Sequence, residues 1–415
     1  MRAIKAVPYI LLGLFAVAFA GCDSDSVTDS GGDNGDSTFS SLSLRIQRTN
    51  EFAFKLYQEL RSPDDNLLIS PHSISVAFGM TYAGARGNTE QEMAEVLCFH
   101  YPQTGFHAAL RELNELLTSS GETSGNGSFE LSIANGCWGR KDLVYLQPYL
   151  DCLSENYSAS MQYLDFVNQP EQSRSTINQW VADRTEDRIK DLLPPNSIDY
   201  LTYLVLANTV YFKAAWLNRF DESFTYDGQF TLLEGSKILV PMMHGELTFA
   251  YSEGSGYRAV ELPYEGEAVS MIAILPDEGQ FQAFEDSFNA QKLTAIIDEL
   301  EETHITLTFP QFSFVSDFDL IPTLIDMGMT DAFAMGANFT GMDGTNDGMP
   351  WIDVVAHKTF ISVDENGTEA AAGTGMVLTC GMHDSFQAIR PFLFVIRHVE
   401  TGTVLFLGRV LDPRG

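Results

Sequence analysis

This 415-residue chain is poor in basic residues, with 24 Lys and Arg against 56 Asp and Glu and a formal charge of −32. Such a surface repels phosphate backbones and argues against nucleic acid as a partner. Cysteine is scarce as well. After Cys22 only Cys98, Cys137, Cys152 and Cys380 remain, and their spacings match no zinc pattern. Cys98 and Cys137 stand in apolar runs and read as buried thiols. A Cys137–Cys152 bridge has no supporting signal, and Cys380 lies in a polar loop. The chain lacks a phosphate loop, a His-Glu metalloprotease motif and a nucleophile elbow. Asp343-Gly344-Thr345-Asn346-Asp347-Gly348 starts like a calcium loop, but Val354 stands where the closing Glu belongs, so a plain turn is expected. His383-Asp384-Ser385 cannot form a triad, because adjacent residues do not converge on one point. No metal or cofactor is expected.

No hydrophobic run is long enough to span a membrane. Ile10–Ala20 is apolar but short and follows Arg2 and Lys5, as in an export signal. Phe19-Ala20-Gly21-Cys22 resembles a bacterial lipobox, with Phe19 where an aliphatic residue usually stands. Residues 1–21 are therefore expected to be a lipoprotein-type signal, with Cys22 lipidated; the alternative is an ordinary secretory signal cut near Ala20. Residues 22–41, rich in Asp, Ser and Gly, cannot bury a core and are expected to form a tether spanning roughly 25 Å. The product is extracytoplasmic, either anchored at a surface or in the periplasm, or secreted. Any membrane contact would run through the lipid alone.

The whole chain is 45% hydrophobic and globular in composition, and what remains, 42–415, is read as its folded domain. Helical spacing runs from Leu42 to Leu60. Leu67–Ser70 reads as a short strand, and Ser70-Pro71 opens a second helix. Ile177–Leu193 reads as a surface helix that stops at Pro194. Tyr203–Lys213 is a strand covered on both faces. Phe230–Pro276 gives several strands, His304–Phe314 one alternating strand leading into a helix near Asp319, and Phe392–Leu411 two more. Helices come early and strands late, which predicts an α+β fold.

The most telling stretch is Glu365-Asn366-Gly367-Thr368-Glu369-Ala370-Ala371-Ala372-Gly373-Thr374. At period two, Thr368, Ala370, Ala372 and Thr374 share a small, nearly apolar face; Glu369, Ala371 and Gly373 share the other. Such a segment can slide between two existing strands without burying its charge. No Lys or Arg occurs from Thr374 to Ile389.

Several motifs in register resemble the serpin family over about residues 42–415. They are Asn66-Leu67-Leu68-Ile69-Ser70-Pro71-His72-Ser73-Ile74, Leu206-Ala207-Asn208-Thr209-Val210-Tyr211-Phe212-Lys213-Ala214-Ala215-Trp216, Val240-Pro241-Met242-Met243, the Glu365–Thr374 hinge, and Arg390-Pro391-Phe392-Leu393-Phe394-Val395-Ile396-Arg397 with Leu407-Gly408-Arg409. The resemblance implies three β-sheets, about nine helices and an exposed reactive-centre loop. It implies a suicide substrate of serine proteases and not an enzyme, acting as a monomer. A protease cuts the loop, an acyl-enzyme forms, and the hinge (Glu365, Gly367, Thr368, Glu369, Ala370, Ala371, Ala372) inserts into the main sheet. It also implies a shutter of Ser70, Ser73, Asn208 and His357, and places Trp216 at the breach where the loop enters. Gln311 stands where many members carry a Lys that pairs with the hinge acid, here Glu365, a change expected to loosen the hinge. The cut is expected at Cys380-Gly381, with Gly381-Met382 second and Met382-His383 third. A small apolar Cys380, with Val377 and Leu378 upstream, suits elastase-, chymotrypsin- or subtilisin-like enzymes. Papain-like cysteine proteases are a further target class. The alternative is a non-inhibitory binding or surface-interaction protein on the same scaffold.

Overall fold

The computed structural model describes residues 36–99, 102–122, 130–157, 161–345, 350–368, 375–376 and 384–415. Among these, ten α-helices form: α1 (Asp36–Leu60), α2 (Pro71–Tyr82), α3 (Gly87–Val96), α4 (Gln103–Glu122), α5 (Gln147–Tyr157), α6 (Pro170–Arg184), α7 (Phe281–Asp286), α8 (Ala290–Asp298), α9 (Leu320–Asp326) and the single turn α10 (Thr340–Asp343). No described helix is long and apolar enough to cross a membrane.

The largest sheet joins β1 (Leu67–Ile69), β6 (Tyr226–Thr231), β7 (Lys237–Gly254), β8 (Tyr257–Pro263), β9 (Val269–Pro276), β10 (Glu301–Pro310), β15 (Asp384–Gln387), β16 (Phe392–His398) and β17 (Val404–Val410). Strands β9, β16 and β17 are buried along their whole length, so their mostly apolar runs are what a doubly covered strand demands; Ser270, Arg397, His398 and Arg409 are the buried polar exceptions. A six-stranded sheet holds β11 (Phe312–Asp319), β12 (Val354–Asp364), β13 (Gly367–Thr368), β4 (Leu204–Ala215), β2 (Glu130–Arg140) and β3 (Gln162–Leu164) in that order. The remaining strands, β5 (Arg219–Phe220) and β14 (Gly375–Met376), pair with each other in parallel. Helix α2, buried on every side, lies under the six-stranded sheet, which is why it carries no polar face.

Three elements depart from the sequence reading. Helix α1 begins at Asp36, six residues inside the stretch read as coil. Helix α6 ends at Arg184, where Ile177–Leu193 had read as one helix. Beyond it Glu186 and Asp187 turn left-handed, at φ 47° and 63°. The chain then folds back on α6: the Asn178 amide donates to the Leu193 carbonyl, and the Leu193 N–H donates to the Asn178 side chain. Ile189, Leu192 and Leu193 keep helical spacing but are buried against Val205, Ala207 and Ala356 of the sheet. The alternating run His304–Phe314 is two strands, β10 in the large sheet and β11 in the smaller one. A period of two does not mark where a strand changes sheets, and Gln311 occupies that crossing.

Cys98, Cys137 and Cys152 are free, and the first two are buried. Burial pushes the Cys137 thiol up to about 12.

Candidate functional site: a half-open seam

The site is a seam between β4 and β12. Along its lower part the two strands pair directly and in parallel, Val354 with Val205 through Thr359 with Val210. At its upper end they part, and β13 lies between them, antiparallel to both. Thr368 pairs with Val363 on one side and Ala214 on the other; Gly367 pairs with Asp364 and Ala215. The chain reaches this position through a two-residue turn, Glu365-Asn366, in which the Asn366 N–H donates to the Asp364 carboxylate at 2.8 Å.

Only glycine fits at 367. Its φ is +147°, and a Cβ there would stand 2.1 Å from the Ala214 carbonyl oxygen and 2.8 Å from the Ala215 Cα. Thr368 points inward, as the face pattern requires: it is buried, and its hydroxyl shares a 2.8 Å hydrogen bond with the Tyr264 hydroxyl. Tyr264 in turn stacks on Trp216, ring centres 4.5 Å apart. The Trp216 indole donates to the Asp364 carbonyl at 3.0 Å, and its backbone N–H donates to Asn366 at 2.9 Å. Trp216 therefore stands where β4 and β12 part around β13.

Glu365 is buried beside this point. Gln311 donates to both of its carboxylate oxygens at 2.8 Å, and the Thr225 hydroxyl donates at 2.5 Å. Gln311, a neutral amide at the sheet crossing, thus reaches the hinge acid by two charge-assisted hydrogen bonds.

Lower in the seam, His357 and Asn208 face each other as register partners. The Ser70 backbone N–H donates to His357 Nε2 at 3.3 Å, so Nδ1 carries the proton and donates to Asn208 Oδ1 at 2.5 Å. The Asn208 amide then donates to the Ser73 hydroxyl at 2.5 Å and to Asn135. All four residues named from the sequence meet here, although Ser70 contributes its backbone. Asn135 was missed; its only signal is a lone polar side chain in the apolar run Ile133–Cys137. Thr225 and Tyr264 carried no signal at all. Glu369, Ala370, Ala371, Ala372, Cys380, Gly381, Met382 and Cys22 lie outside the described residues.

Burial drives the His357 imidazole down to about 3, so it is neutral at physiological pH. Its folded value lies below the ordinary one, so this group's stabilisation is complete above pH 6.5 and is lost as pH falls from 6.5 towards 3. One proton is worth up to about 1.4 kcal/mol per pH unit in that window. Urea unfolding of the parent and of His357→Gln between pH 6.5 and 4 should therefore show a flatter acid limb in the variant. Equal slopes would exclude the buried neutral imidazole.

The family model "Serpin (serine protease inhibitor)" matches residues 47–413. An uncharacterised serpin-like protein of Thermococcus kodakarensis is 38% identical over 89% of this chain and 86% of its own length. Mouse antithrombin-III is 37% identical over 87% and 80%, and bovine leukocyte elastase inhibitor 35% over 87% and 97%. Among solved structures, uncleaved ovalbumin superposes with a TM-score of 0.80 at 27% identity, covering 88% of this chain and 99% of its own. Human thyroxine-binding globulin with bound thyroxine does so at 0.80 and 29%, covering 90% and 100%. The chain belongs to the serpin family. Proteins of this family are protease inhibitors by class and not catalysts, and serine proteases are their general targets.

Proposed function

We propose that this chain is an inhibitory serpin that traps a serine protease by inserting its cut loop into the β4–β12 seam. The observation that carries this reading is that Gly367 and Thr368 already lie between the two strands, at the head of a seam whose lower part is still closed. The residues that follow are small and uncharged on the inward face. In the reaction, the protease's serine hydroxyl attacks the Cys380 carbonyl and the Gly381 amine leaves with a proton. The ester so formed is carried down the sheet before water can hydrolyse it. Cys380 directs the inhibitor to elastase-, chymotrypsin- or subtilisin-like enzymes, with papain-like enzymes attacking through a thiol instead. We place the protein outside the cytoplasm, held to a membrane through Cys22 and the tether.

Mixing the purified domain with a protease panel tests this. An adduct that survives boiling in SDS, joined through Cys380, is expected, with protease activity lost in step. The other reading, a binding module on the same scaffold, draws on the thyroxine-bound globulin among its structural relatives. Cleavage at 380–382 with all protease activity retained would favour that reading and dismiss the first. A lipid-modified Cys22 in the mass of the mature N-terminus supports the anchor; an unmodified terminus near Gly21 makes the protein secreted.

A further inference from the structure

We propose that Asp353 is the latch at the closed end of the seam, a positioning residue that holds β4 against β12 until the inserting loop arrives. The inference rests on the insertion reading and adds to it a control point for the last stage of the movement.

Asp353 immediately precedes β12. Its carboxylate accepts the N–H of Leu204, the first residue of β4, at 3.2 Å and that of Tyr203, just before it, at 2.7 Å. Its own backbone N–H donates to the Leu204 carbonyl at 3.2 Å. Three hydrogen bonds from one residue thus fasten the start of one seam strand to the start of the other. The Tyr203 ring packs on Trp351, ring centres 4.6 Å apart, with the Arg140 guanidinium 4.5 Å from the Tyr203 ring centre. Burial pushes the Asp353 carboxyl up to about 6, while the Tyr203 and Leu204 N–H groups pull it back. At neutral pH it is therefore a carboxylate, with two strong donors aimed at it.

The register fixes when these bonds must break. Thr368 is level with Val363 and Ala214. An antiparallel strand that continues from there moves one residue down each neighbour per residue added. Ten residues on, it is level with Asp353 and Leu204 together. That is residue 378, two before the expected cut at Cys380. A loop carried that far must separate Asp353 from Tyr203 and Leu204. The latch bonds therefore exist in the intact protein and not in the inserted one. Their removal should cost the intact form alone and lower the barrier to full insertion.

The test compares the parent full-length protein with Asp353→Ala and Asp353→Asn. Each is melted intact and after a nick in the loop, and each intact sample is also incubated warm to follow spontaneous conversion to a form that resists cleavage in the loop. Asp353→Ala leaves two strand-opening N–H groups without an acceptor. It should lower the intact melting point, leave the nicked one unchanged and speed conversion at least about tenfold. Asp353→Asn keeps an acceptor oxygen and should restore the parent rate within about threefold. If the alanine variant does not fold, Asp353→Ser, with a shorter acceptor, should convert at a rate between the parent and tenfold above it. Equal lowering of the intact and nicked melting points would overturn the latch and leave an ordinary structural residue, as would an unchanged conversion rate. A parent whose melting does not change on nicking would instead sink the insertion reading itself, and the latch with it.

Discussion

Thr368→Arg should turn the inhibitor into a substrate. The variant's loop should be cut at the parent rate, while the number of molecules consumed per protease inactivated rises by at least an order of magnitude. Thr368 is buried between β12 and β4 against Tyr264. The carboxylates at the seam's upper end, Asp364 and Glu365, already serve the Asn366 N–H and the Gln311 and Thr225 side chains respectively. An unpaired charge taken out of water costs several kcal/mol. Each 1.36 kcal/mol added to the barrier slows insertion about tenfold. Deacylation proceeds at the protease's own rate and overtakes insertion once that barrier rises. Cleavage then continues and trapping fails. Thr368→Ser keeps the hydroxyl and should behave as the parent. An undiminished yield of SDS-stable adduct from the arginine variant would show that the hinge does not enter the sheet on the productive path.

Asn208→Ala should cost the intact fold about 1–3 kcal/mol. Asn208 joins four groups, the His357 ring, the Ser73 hydroxyl, the Asn135 amide and, through His357, the Ser70 N–H. A buried donor or acceptor left without a partner costs about 1–3 kcal/mol; alanine strands the His357 Nδ1–H, while Ser73 and Asn135 still hold each other at 3.4 Å. The seam at His357 and Asn208 is also the closed part of the slot, so the loss falls on the direct pairing of β4 with β12. Urea unfolding of the intact variant should show the lowered midpoint with an unchanged slope. An unfolding free energy within about 0.5 kcal/mol of the parent would mean that the network is satisfied elsewhere.

Much of this site could be read before any coordinates. The inward face of the hinge follows from a period of two, and Thr368 obeys it. Asn208 and His357 sit in otherwise apolar strands, where a polar side chain needs a partner. Their meeting across the seam, however, is a contact between residues 149 apart in sequence, and nothing local encodes it. Tyr264 and Thr225 are ordinary surface-type residues in sequence; only the folded chain brings them to Thr368 and Glu365. The end of α6 was misread for a related reason. Ile189, Leu192 and Leu193 have helical spacing, yet the sheet buries them and a side-chain clasp between Asn178 and Leu193 replaces the helix. Gln311 shows the opposite case. The residue type was plain, but its effect depended on a crossing between sheets that alternation does not reveal.

A thermal melt before and after a single nick between residues 380 and 382 tests the stored strain most directly. The native seam is held as a kinetic trap in this account. The nicked chain, free to add a full strand between β4 and β12, should melt at least about 10 °C higher than the intact one, several times the ~2–4 °C that one kcal/mol moves in a smaller domain. A nicked chain that melts with the intact one, or below it, would contradict loop insertion as the working principle of this protein.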